Sequence, residues 1–142
     1  MTTNSLNSPS AVQLQTLARQ FGVRALVLFG SVARGTSREG SDIDIAVLLE
    51  RQLKGERRRQ LWAALSQLFS RDVDLTVLNH AEPLVRFRVA CEGKILFVAD
   101  GDAWETWKSY AVRQYWDTEK FREALKSYLS RRVEEIRNAA AG

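Results

Sequence analysis

Apolar residues recur along the chain with two periods, and the alternation of those periods divides it into helices and strands. Val12, Leu14, Leu17, Ala18 and Phe21 fall at helical spacing behind Ser10, a residue suited to capping, and Gly22 closes the run. Val23–Phe29 (VRALVLF) is a short β-prone run between Gly22 and Gly30, the pattern of a buried strand. A Gly/Ser-rich stretch, 30–41, separates it from a second such run, Ile43–Leu49 (IDIAVLL). Residues 53–69 predict a helix with Leu53, Leu61, Leu65 and Leu68 on its apolar stripe. Residues 73–78 (VDLTVL) predict a third strand. Pro83 opens a short helix over 83–90. Gly93 turns the chain into a fourth strand, Lys94–Val98 (KILFV). From Asp102 to about Asn138 the pattern is helical, with a break expected near Asp117-Thr118 and a stripe of Phe121, Leu125, Leu129, Val133 and Ile136.

This order predicts one α/β (α+β) domain over residues 10–138, with a mixed sheet of about four strands flanked by helices and a long C-terminal helical segment. Residues 1–9 are small and polar, end in Pro9, and read as a disordered N-terminus. The length of 142 residues suits a single hydrophobic core. A hydrophobic fraction of 45% with 27% charged residues is that of a globular protein. No apolar run reaches the roughly 20 residues of a membrane span, and the polar start has no secretory h-region. With Cys91 the sole cysteine and His80 the sole histidine, neither an internal disulfide nor an ordinary structural zinc site can form. A cytoplasmic location is expected. The net charge of +4 would attract nucleotides, nucleic acid or an acidic partner without choosing among them.

The choice comes from residues 28–49, LFGSVARGTSREGSDIDIAVLL. A strand delivers the chain to Gly30-Ser31, where the absent side chain of Gly30 lets backbone N–H groups approach an oxyanion. A helix opened at Ser31 would aim its N-terminal N–H groups and dipole at a phosphate. Asp42 and Asp44 follow, two residues apart at the mouth of a strand, so both carboxylates project from one face. Adjacent carboxylates repel unless a cation neutralises them, and Mg²⁺ prefers oxygen ligands. Asp72 and Asp74 repeat the i, i+2 spacing on the third strand. Asp74 lies deeper in that strand and is the better third carboxylate. Three carboxylates can hold a pair of Mg²⁺ ions that orient an attacking oxygen and stabilise a pyrophosphate leaving group. The alternative is purely structural: Gly30 and Gly40 serving turns while Ser31, Asp42 and Asp44 act as caps.

These residues resemble the signature of the DNA polymerase β-like nucleotidyltransferase superfamily in its minimal (MNT) branch. The resemblance extends to Arg34-Gly35, Gly40-Ser41, Val73-Asp74-Leu75, Gly93-Lys94-Ile95-Leu96-Phe97 and Tyr115-Trp116-Asp117, covering about 23–136. It implies catalytic and metal-binding roles for Asp42, Asp44 and Asp74, and nucleotide binding by Gly30 and Ser31, with Arg34 and Ser41 beside them. It also implies ATP as substrate and two Mg²⁺ ions as cofactors. The usual partner in this branch is a HEPN-type ribonuclease toxin, inactivated by AMP transfer to a tyrosine, which makes the transferase an antitoxin.

Two other functions fit the same residues. One is a non-catalytic antitoxin that neutralises its toxin by occlusion. The other is a small-molecule transferase of the aminoglycoside type, although such relatives generally add a helical acceptor domain. Direct nucleic-acid binding is not expected, because the aromatic cluster Trp104, Trp107, Tyr110, Tyr115 and Trp116 comes with no groove-reading motif. Core packing or partner docking accounts for that cluster instead. Arg57-Arg58-Arg59 reads as a solvated helix face, His80 as a turn residue, and Cys91 as a small buried packing residue.

Overall fold

The computed structural model describes residues 9–30, 35 and 42–141. Most of the N-terminal segment, and with it Ser31, Arg34 and Ser41, lies outside the described residues. The elements run α1 (Ala11–Phe21), β1 (Val23–Phe29), β2 (Ile43–Leu49), α2 (Gly55–Phe69), β3 (Val73–Val77), a 3₁₀ turn (Leu78–His80), α3 (Pro83–Glu92), β4 (Lys94–Val98) and α4 (Gly101–Ala141).

The four strands form one mixed sheet in the order β3-β2-β1-β4. Strand β1 pairs antiparallel with both β2 and β4, whereas β2 and β3 run parallel. The parallel pair is joined through α2, as a crossover connection requires. Because β1 and β2 are central, both of their faces are covered, which explains their nearly continuous apolar runs. One layer packs α1 and α2 against Leu26, Leu28, Ile43, Ile45 and Val47, with Leu17, Phe21, Leu61 and Leu65 filling the space. The other packs α3 and the start of α4 against Ala25, Val27 and Ala46 through Val89 and Trp104.

Local chemistry sets the boundaries. Ser10 Oγ accepts from Gln13 N–H at 3.2 Å while Gln13 Oε1 accepts from Ser10 N–H at 2.9 Å, a reciprocal capping box. Gly22 ends α1 in the left-handed region at φ +67°. Strand β3 stops at Val77, one residue short of the sequence expectation, because Asn79 turns back. Its side-chain amide donates to Leu49 O at 2.9 Å and accepts from Leu49 N–H at 2.8 Å, replacing the next rung of the ladder.

Helix α4 runs unbroken through Asp117-Thr118. Neither residue is a helix breaker, and Thr118 Oγ1 donates to Gln114 O at 2.8 Å within the helix. Val12 is 71% exposed and off the buried face of α1. Cys91 is exposed rather than buried, since α3 turns Val89 and Ala90 inward instead.

Candidate nucleotidyltransferase site

The alternation of β2 decides where its carboxylates go. Ile43, Ile45 and Val47 enter the layer beneath α1 and α2. Asp42 and Asp44 therefore project to the opposite face, the one that carries Ala46 further along. Strand β3 repeats this arrangement in register: Ile43 stands beside Val73, Asp44 beside Asp74, and Ile45 beside Leu75. Neighbouring strands are about 4.8 Å apart, so the parallel ladder puts Asp44 and Asp74 side by side on one face. Asp72 lies before the strand, where its carbonyl accepts from Ile43 N–H at 3.0 Å and fixes the entry of both strands.

Strand β1 brings the glycine to the same place. Phe29 is the register partner of Asp44, so Gly30 emerges next to that carboxylate. Gly30 adopts φ +76°, and a Cβ there would overlap the Asp44 carboxylate, with Asp44 Cγ at 2.9 Å. Both backbone conformation and space thus demand glycine. Asp44 is partly buried, whereas Asp42 and Asp74 are exposed to solvent.

Gly30, Asp42, Asp44 and Asp74 are therefore gathered at one end of the sheet. Among the described residues, no set of three or more acidic, His or Cys side chains is close enough to hold a metal ion as the side chains stand. The oxygen-only donor set on Asp42, Asp44 and Asp74 nevertheless suits a hard cation such as Mg²⁺.

Beyond Asp74 the structure adds residues of α2, among them Arg58 and Arg59, which are exposed as the sequence indicated. A groove at the free edge of β3 is lined by Asp74, Arg58, Arg59 and Trp62. Trp62 Nε1 donates to Val73 O at 2.7 Å, which ties α2 over the edge strand. Consecutive arginines on a helix gave no signal of this, because only the tertiary packing of α2 brings two of them to β3. Arg57 alone of the three departs from a solvated face: it is partly buried, its guanidinium lies 4.3 Å from the Phe21 ring centroid, and it donates to Gln20 O at 2.6 Å. The aromatic cluster divides. Trp104 and Trp107 stack at 5.0 Å and Tyr115 stacks on Phe87 at 4.2 Å, all against the domain, while Tyr110 and Trp116 face solvent.

The chain and its fold are similar to those of known proteins. A protein adenylyltransferase MntA from Shewanella oneidensis is 36% identical over 80 residues, a match spanning 56% of this chain and 58% of the relative's length. A solved toxin–antitoxin structure with AMP-PNP superposes with a TM-score of 0.70 at 27% identity, covering 90% of this chain and 99% of that one. The structure of a tri-AMPylated S. oneidensis HEPN toxin in complex with an MNT antitoxin matches with a TM-score of 0.63 at 26% identity, covering 84% of this chain and 94% of that one. Residues 13–102, from α1 to the first turn of α4, match the family model of the polymerase beta nucleotidyltransferases, and the chain is a member of that family.

Proposed function

We propose that this protein is a Mg²⁺-dependent protein adenylyltransferase that moves AMP from ATP to a tyrosine of a HEPN-type toxin, and so acts as its antitoxin. The observation that carries the reading is the register of Asp44 beside Asp74, with Gly30 packed against Asp44. The likeness to an adenylyltransferase and to toxin–antitoxin complexes, one with AMP-PNP and one with an AMPylated toxin, supplies the substrate and partner. Asp42, Asp44 and Asp74 would hold Mg²⁺, which supplies charge neutralisation at the triphosphate. Gly30 gives the Asp44 carboxylate its place at the end of the sheet, and Gly30, Ser31, Arg34 and Ser41 would bind the phosphates. The tyrosine oxygen attacks the α-phosphorus, the bond to pyrophosphate breaks, and the phenolic proton passes to the Asp74 carboxylate.

Incubation with α-phosphate-labelled ATP, Mg²⁺ and the toxin should label the toxin. Asp44→Asn should lower the rate by about 10³-fold, equivalent to several kcal/mol of lost charge stabilisation, and chelation of Mg²⁺ should stop the reaction. A toxin left unlabelled by the wild-type protein refutes the activity. A toxin still neutralised by Asp44→Asn would instead favour occlusion.

A further inference from the structure

Helix α4 carries one face along its whole length, and among the described residues only the first half of that face has something to pack on. Trp104 and Ala111 are buried, Trp107 packs on the same layer, and Tyr115 stacks on Phe87 of α3. Continuing from Tyr115 in steps of three and four residues, the same side of the helix reaches Thr118, Arg122, Leu125, Leu129, Val133 and Ile136. From residue 120 to 141 every position is exposed. At 1.5 Å per residue the helix overhangs the domain by about 30 Å.

Apolar side chains on that overhang stay in water, Phe121 at 68%, Leu129 at 50% and Ile136 at 61% exposure. Most helical stability in proteins comes from packing an apolar face, and a contiguous exposed apolar row marks an interaction surface. The row also has a charged border. On the helix surface Leu125, Leu129 and Val133 are flanked by Arg122, Lys126 and Arg137 against Glu134 alone.

We propose that this face of α4 is the docking surface for the protein that receives the nucleotide, and that it takes an amphipathic helix with an apolar row bordered by carboxylates. A ridge spaced by three and four residues is matched by a second helix laid along it. The border of three cations to one anion selects acidic residues on that helix. A second copy of this chain is a poor occupant, because it brings the same cationic border. In an antiparallel pairing centred between Leu129 and Ser130, Arg122 of one copy would stand against Arg137 of the other. Because α4 continues into the domain, a protein held on the overhang is tethered to the chain that carries Asp44 and Asp74, raising its effective concentration there.

The partner's identity rests on the proposed function, but binding can be measured without catalysis. Full-length protein carrying Leu125→Glu and Leu129→Glu, both exposed, should keep the wild-type circular dichroism and unfolding midpoint. Its affinity for the HEPN-type toxin should fall at least about 10-fold. The reversal Arg122→Glu with Lys126→Glu should also weaken binding, and wild-type affinity should fall as salt rises. Undiminished toxin binding by the Leu125/Leu129 variant overturns the proposal. So does a wild-type dimer that this variant converts to monomer with toxin binding intact, since the face would then be a self-interface. Salt-independent affinity overturns the acidic border. Failure of AMP transfer with binding intact would strike the activity and leave this surface standing.

Discussion

Gly30 and Asp44 constrain one another through space. The left-handed backbone of Gly30 leaves a gap where a Cβ would sit, and the Asp44 carboxylate fills it. Gly30→Ala therefore imposes roughly 1–2 kcal/mol of backbone strain and displaces a proposed metal ligand together. The expected result is a loss of at least about 10²-fold in AMP transfer, larger than a stability change of about 2 kcal/mol would cause in a protein that stays folded. Steady-state labelling and urea unfolding of the same variant measure the two effects separately. Much of this was legible in the sequence. The i, i+2 spacing of Asp42 and Asp44 fixes a shared face whatever the tertiary fold, because strand side chains alternate with a period of two. The preference for Asp74 over Asp72 follows from depth in the strand, and the register of β2 with β3 sets Asp74 beside Asp44. The contact between Gly30 and Asp44, and the amide bridge from Asn79 to Leu49, were not legible. Each joins residues far apart in sequence, and only the assembled sheet brings them together.

At the scale of the element, α4 shows where periodicity is informative and where it is silent. The 3.6-residue pattern located the helix, and Asp100 explains its start: the carboxylate accepts from Asp102 N–H at 3.0 Å and Ala103 N–H at 3.4 Å. Periodicity could not say that its apolar stripe lacks a partner among the described residues, since a stripe facing a core and one awaiting another protein look alike. The same limit applies to α2, where Arg57 covers Phe21 while Arg58 and Arg59 line the groove by β3. What fastens α4 to the sheet is its first half, chiefly Trp104, which is buried among Ala25, Val27, Leu78 and Val89. Trp104→Ala should destabilise the protein by about 3–5 kcal/mol through the cavity it leaves. A fall in the urea midpoint measures this; an unchanged midpoint would show that α4 is held by Tyr115 and Phe87 instead.

Across the whole molecule, the two layers divide the work. Helices α1 and α2 close one face of the sheet, while α3 and the start of α4 close the other. The carboxylates emerge on that second face, at the end of β2 and β3 where Asp42 and Asp74 remain open to solvent. The family match to residues 13–102 covers this shared body and stops just inside α4, before the overhang begins. That division has a consequence for amide exchange and cooperativity. Amides over 101–118 should exchange only when the domain opens, because their helix is clamped by Trp104, Ala111 and Tyr115. Those over 121–141 should exchange by fraying, orders of magnitude faster, as in a free helical peptide. Deuterium uptake resolved by peptide tests this, and uniform protection along α4 would contradict it. The cooperative unfolding unit is then smaller than the polypeptide, so the denaturant slope and unfolding enthalpy of the isolated protein should fall short of those of a fully packed chain of 142 residues.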